Sequence, residues 1–239
     1  MKLYIYTITL LLFVACSPSN EGRLNLSSLT NNKSDSSTNS KSSSTNCDQT
    51  ITKEFSTGKT MTICYDYKYK SAKYVTYTLY GNLVNKENIS KRPSFYSDTS
   101  LPLDYRISSN DYIRSGYDRG HLAPDASFDY NSGDLKLIYT MANIIPQDHT
   151  VNSQFWIKVE KYARDKAVAF GEISIKNIVV FDSNPKYIKS KIAIAKGYYK
   201  ILTNISKGFN ECYYYLNYQD IVKASEDTLS RHKVSCSGL

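Results

Sequence analysis

Asp118-Arg119-Gly120-His121 sets an acid, a base, a small residue and an imidazole side by side in a chain with only three histidines. Downstream stand Asn143 and then Asn152, Glu160 and Arg164, the last three spaced by eight and four residues. A neutral imidazole can take a proton from water. An amide oxygen and a carboxylate are hard donors that suit Mg²⁺. Arginines hold the negative charge that builds on a phosphoryl group under attack. These residue types together fit hydrolysis of a phosphodiester. Helical spacing then sorts their roles. At about 1.5 Å per residue, Asn152 and Glu160 lie about 12 Å apart along a straight helix. Without a distortion they cannot both be inner ligands of one small cation. If Asn152 touches a metal, Glu160 acts through a water or braces Arg164 four residues on. Mg²⁺ tolerates that arrangement because it keeps several waters and takes few protein ligands.

The elements that must position these residues follow from periodicity. ICYDYKYK (63–70) alternates, and AKYVTYTLYGNLV (72–84) is rich in β-branched and aromatic residues before a Gly-Asn turn, so both read as strands. Residues 85–116 read as a long loop carrying Pro93 and Pro102. LKLIYTMANIIP (135–146) reads as a strand with Asn143 near its end, broken by Pro146. In residues 152–170, Phe155, Val159, Ala163 and Ala167 recur at helical spacing and predict a helix. Two further strands are expected around ISIKNIVVFD (173–182) and GYYKIL (197–202), followed by a mixed terminal region ending at Cys236. Most of the 22 tyrosines suit half-buried strands.

Residues 1–16 carry one lysine and then an apolar run ending Val14-Ala15-Cys16, the pattern of an export signal. This ending resembles a bacterial lipoprotein signal, in which Cys16 would take a lipid anchor and become the N-terminus. Phe13 stands where that pattern prefers leucine, which leaves cleavage and release to a secreted or periplasmic form open. Residues 17–46 are dominated by Ser, Asn and Thr and are expected to form a flexible tether ahead of a domain over 47–239. Cys47, Cys64, Cys212 and Cys236 make an even set that suits two disulfides in an exported chain, paired by proximity as Cys47–Cys64 and Cys212–Cys236. Zinc is the weaker reading, since no C-x-x-C pair exists. With 41% hydrophobic residues a proper core can form, which excludes global disorder. The net charge of +8, of which residues 1–46 carry only +2, favours a polyanionic partner without identifying it.

The order DRGH, then Asn, then N-x-x-x-W-x-x-x-E-x-x-x-R resembles the DNA/RNA non-specific endonucleases of the ββα-metal (His-Me finger) superfamily. The residues that carry it are Asp118 to His121, Leu122-Ala123-Pro124, Asn143, Pro146-Gln147, Asn152, Trp156, Glu160 and Arg164, with KRPSFYSD upstream supplying Arg92. The resemblance implies an α+β fold: a central antiparallel sheet flanked by helices, with the ββα-metal unit over residues 117–165. It also implies a metal-dependent endonuclease that takes DNA and RNA as substrates and leaves 5′-phosphate ends. By the same resemblance His121 is the general base and Asn152 the direct ligand of Mg²⁺ or Mn²⁺. Glu160 holds a metal-bound water, and Arg164 and Arg92 contact the phosphate. Arg119 supports the metal's water shell or the phosphate, and Asp118 and Asn143 position the histidine's loop and ring. Where the family often has Trp upstream, this chain has Tyr74.

Plainer readings stand beside these. Asn152 could simply cap a helix, and Glu160 and Arg164 could form a surface i,i+4 pair. Trp156 and Phe155 are expected in the core. His149 is expected at a helix start or on the surface, and His232 in solvent. Lys186, Lys189, Lys191, Lys196 and Lys200 could line a nucleic-acid groove or simply be solvated. The rival function is a surface lipoprotein that binds nucleic acid for uptake with little or no cutting. No residue points to a dedicated inhibitor protein.

Overall fold

The computed structural model describes residues 46–218 and 223–239, so the expected signal (1–16) and most of the expected tether (17–46) lie outside the described residues. The elements in chain order are β1 (Gln49–Glu54), β2 (Thr60–Asp66), β3 (Ser71–Tyr80), β4 (Asp118–His121), α1 (Ser132–Ile138), β5 (Ile144–Gln147), α2 (Ile157–Phe170), β6 (Glu172–Val180), β7 (Gly197–Asn204), β8 (Phe209–Leu216), α3 (Leu229–His232) and β9 (Lys233–Val234). Seven strands form one antiparallel sheet in the order β1-β2-β3-β6-β7-β8-β9, while β4 and β5 pair separately. The architecture is α+β.

The sheet's period-2 alternation aims one face at the core. Val75, Tyr77 and Leu79 of β3, Ile173, Ile175 and Val179 of β6, and Tyr198 and Leu202 of β7 are all buried. Against them lies α2, whose Val159, Ala163 and Ala167 are buried at helical spacing. Gly171 at φ 89° ends α2, a left-handed conformation that glycine adopts without steric cost. The cysteines pair as Cys47–Cys64 and Cys212–Cys236. The first ties the segment before β1 to β2, and the second ties the chain beyond β9 to β8.

Two expectations need correction. Leu135–Ile138 of the predicted 135–146 strand is helical, because Asn131 caps α1 by accepting from the backbone N–H groups of Gly133 and Asp134. Seven residues with Leu135, Leu137 and Ile138 apolar are too short for periodicity to separate a helix from a strand. Pro146 also lies inside β5 rather than breaking it. A two-stranded pair has two edges, so a residue without an N–H is tolerated there. The mixed terminal region contains β8 and β9, and β1 likewise gave no distinct signal.

Candidate active site

Gly120 is required by the packing of β4 on β5. A Cβ there would collide with the side chain of Gln147, which lies diagonally across the pair. Alternation along β4 sends Arg119 and His121 to the same side. Both line a cleft of about 230 Å³, together with Pro124, Asp125, Asn152, Ser153, Ile157 and Glu160. Of the residues singled out in the sequence, the fold therefore brings Arg119, His121, Asn152 and Glu160 to one opening.

The His121 ring sits between Phe95 (centroids 5.4 Å apart) and Tyr139 (4.8 Å), and its Nε2 is buried with no hydrogen-bond partner. Burial pushes its pKa down to about 4; Asp125 pulls the other way and Arg92 adds to the fall. The imidazole is neutral at pH 7. Asn143 is fully buried and, rather than lying near a strand's end, closes the short turn Met141–Asn143 directly before β5. Its Oδ1 accepts from the Ala123 N–H (2.9 Å), and its Nδ2 donates to the carbonyls of Ala123 (3.0 Å) and Ile138 (2.9 Å). These bonds fix the chain just beyond His121.

Asp118 points elsewhere than expected. Its Oδ2 accepts from Asn152 Nδ2 (3.0 Å) and lies 2.9 Å from His149 Nδ1, so the carboxylate orients Asn152 and an exposed histidine, not His121. The strand's pleat explains this: Asp118 shares its side of β4 with Gly120, opposite to His121. With its Nδ2 tied to Asp118, Asn152 has its Oδ1 left for another partner.

Asn152 lies in a π-helical turn, Val151–Trp156, that leads into α2. This wide i→i+5 turn is the distortion that the straight-helix argument required, and such turns recur at functional sites. Glu160 is 9% exposed, and burial raises its carboxyl to about 7 against the opposing pull of Lys200 and Arg164. Arg164 acts on it at a distance, without forming a direct ion pair. Arg119 donates through Nε and Nη2 to the Ser109 carbonyl (3.2 and 2.8 Å), with its guanidinium near the rings of Phe95 and Tyr112. Arg92 donates through Nη2 to Asp129 (3.2 Å) and through Nη1 to the Ile89 carbonyl, and its Nε lies 3.0 Å from Asp125 Oδ2 in an ion pair.

Lys200, read from the sequence as groove-lining or solvated, is neither: it is fully buried. Its Nζ lies 3.4 Å from the Tyr77 hydroxyl and 4.6 Å from the Trp156 ring centre. Burial lowers its ammonium to about 8, with Glu160 opposing. The signal was present in GYYKIL, where Lys200 is in phase with the inward Tyr198 and Leu202. Asp125, directly after Leu122-Ala123-Pro124, is a further cleft residue that the motif does not flag. His232 is not solvated: its side chain is 16% exposed, stacked on Tyr215 and 2.6 Å from Asp227 Oδ1. Among the described residues no group of three or more His, Cys, Asp or Glu could hold a metal, and all four domain cysteines are in disulfides. That removes the zinc reading for the described part.

Residues 38–238 match the family described as DNA/RNA non-specific endonuclease. The chain belongs to that family. Human endonuclease G, mitochondrial, is 27% identical over 138 residues, 58% of this chain and 44% of its own length. A Nostoc protein named Nuclease is 31% identical over 119 residues, 48% of this chain and 42% of its own. Human nuclease EXOG, mitochondrial, is 31% identical over 83 residues, 35% of this chain and 23% of its own. The chain spans less than half the length of each of these relatives. A solved EndoG/EndoGI complex, titled for the mechanism of EndoG inhibition, contains a chain with a TM-score of 0.67 and 20% identity. It covers 77% of this chain and 80% of that one, and the likeness is one of fold.

Proposed function

We propose that this family member hydrolyses phosphodiester bonds in DNA and RNA with one Mg²⁺ or Mn²⁺, leaving 5′-phosphate ends. The observation that carries this reading is a neutral imidazole, His121, with an unpartnered buried nitrogen, sharing one cleft with Asn152, Glu160 and Arg119. The donor set fits a hard cation. Asn152 would hold it through Oδ1, since Nδ2 is bonded to Asp118, and Glu160 would hold it through an intervening water. When bound, the cation would polarise the phosphoryl group and stabilise the leaving oxygen. His121 accepts the proton of the attacking water. Arg164 and Arg92 hold the phosphate as its negative charge builds, and Arg119 supports the phosphate from the cleft wall. Contacts confined to phosphate and sugar carry no sequence information, which fits cutting with little sequence preference.

The same reading takes residues 1–16 as an export signal with Cys16 as a lipid-anchor site, and 17–46 as a tether to a nuclease domain over 47–239. Two disulfides suit an oxidising compartment such as the cell envelope or exterior. Labelled palmitate should enter the wild type and not Cys16→Ser; label in neither means release by ordinary cleavage.

The test incubates purified protein with plasmid DNA and with RNA, in Mg²⁺, Mn²⁺ or EDTA. Metal-dependent cutting of both, with 5′-phosphate ends, supports the proposal. Salt-sensitive binding with no cutting in any metal would replace it with nucleic-acid capture.

A further inference from the structure

Asp125 borders the cleft beside His121, and its Oδ2 makes two contacts at once: an ion pair with Arg92, whose Nε lies 3.0 Å away, and a hydrogen bond accepted from the Tyr139 hydroxyl at 3.1 Å. Each contact leads to a different part of the machinery. A guanidinium carries five N–H groups. Arg92 gives one to Asp129 and one to the Ile89 carbonyl and pairs electrostatically with Asp125, which leaves one N–H on each terminal nitrogen. The fork is thus held by two hydrogen bonds and one ion pair, with a free N–H on each terminal nitrogen. On the other side, the Tyr139 ring meets the His121 ring edge-on at 4.8 Å, so the oxygen that anchors Arg92 also anchors one wall of the imidazole.

A carboxylate in a cleft for a polyanion opposes binding by simple repulsion. Arg92 offsets part of that cost in the resting protein. The rest is offset during reaction, when His121 takes up a proton and a neighbouring carboxylate favours the imidazolium.

We propose that Asp125 is a positioning residue for phosphodiester hydrolysis, aiming Arg92 at the phosphate and fixing the wall of His121 through Tyr139. The inference rests on the nuclease reading above and adds to it a residue and the two routes by which it acts.

The test compares wild type, Asp125→Asn, Asp125→Ala and Tyr139→Phe on a defined DNA substrate, with melting temperatures and pH profiles. Asp125→Asn should lower kcat by about tenfold to a hundredfold while KM stays level or falls, because a repulsive charge leaves the cleft as positioning is lost. Asp125→Ala should match it or be worse, and Tyr139→Phe, which breaks one contact of the two, should cost only a few-fold. The acid limb of kcat should move to lower pH in Asp125→Asn. The charges facing His121 are Asp125, Arg92, Arg119 and Glu160, beside the Tyr139 phenol. Removing the first leaves Arg92 and burial to depress the imidazole further, and loss of the same carboxylate also eases ionisation of Glu160. Asp125→Asn with kcat within about twofold of wild type, or a lowered kcat with a parallel fall in melting temperature and an unmoved acid limb, would overturn the proposal alone. A wild type that cuts neither DNA nor RNA would overturn the nuclease reading and this inference with it.

Discussion

His121 and His232 occupy matched settings in two regions of the molecule and are used differently. Each packs against a tyrosine ring and stands near an aspartate. At the C-terminal end, both ring nitrogens of His232 have partners: Nε2 lies 2.6 Å from Asp227 Oδ1 and Nδ1 lies 3.2 Å from the Tyr214 carbonyl. Asp227 in turn takes the Lys158 ammonium at 3.1 Å, and Lys158 also donates to the carbonyls of Ala224 and Asp227. That network is saturated and ties the terminal segment to α2. In the cleft, His121 keeps a buried nitrogen without a partner, near Glu160, whose carboxyl is raised to about 7 and faces a buried ammonium, Lys200, lowered to about 8. Satisfied polar groups hold a fold together, whereas unsatisfied ones remain available to a substrate. The difference lies in the partners, not in the residue type.

The largest expected contrast is between the two alanine variants. His121→Ala should lose cutting by roughly 10²–10⁴-fold and leave the melting temperature near that of wild type. His232→Ala should keep cutting within a few-fold and lose about 2 kcal/mol of stability, since it leaves the buried Asp227 short of a partner. A His232→Ala protein that folds but cuts nothing would break the division between the two regions.

Next is the staple on the saturated side. Replacing Cys212 and Cys236 by serine opens a loop closed over 24 residues and should cost about 3 kcal/mol in denaturant unfolding. Cutting below the new midpoint should persist.

A sharper probe uses opposed titrations within the cleft. His121, with a folded pKa of about 4 against 6.5, binds fewer protons folded than unfolded between those values, so its term makes stability rise with pH there and fade as pH drops toward 4. Glu160, at about 7 against 4.5, binds more protons folded, so its term makes stability fall as pH rises through that window. In the wild type the two slopes, each about 1.4 kcal/mol per pH unit at most, oppose one another between 4.5 and 6.5. His121→Ala should expose a stability that falls with rising pH, and Glu160→Gln one that rises. Identical urea midpoints across pH 4.5–6.5 in all three proteins would remove the electrostatic part of the contrast.

The smallest effect should come from His149→Ala. This side chain is 75% exposed and touches Asp118 only from outside, so cutting should fall by no more than about threefold, with no change in melting temperature.

Much of the site could be read in the chain because its residues sit at fixed offsets on local elements. DRGH fits a four-residue strand, and N-x-x-x-W-x-x-x-E-x-x-x-R fits a helix; neither needs knowledge of distant partners. The same holds for the strands over AKYVTYTLY, ISIKNIVVFD and GYYKIL, whose alternation is local; of ICYDYKYK only 63–66 is strand, while 67–70 form the turn into β3. LKLI was misread because apolar residues at 135, 137 and 138 around one lysine suit a short helix as well as a strand, and the Asn131 cap decided it.

What the sequence alone determined is the list of reactive groups, their spacing, the disulfide pairing by proximity, and the α+β class. Only the tertiary structure decided which groups are satisfied. That choice depends on contacts between residues far apart in the chain: Asp118 with Asn152, Arg92 with Asp125 and Asp129, Lys200 beneath Trp156, and His232 against Tyr215. Burial and hydrogen bonding set the pKa of a side chain, and both are properties of its surroundings. A histidine's type is written in the sequence, whereas its chemistry is settled by the groups that fold against it.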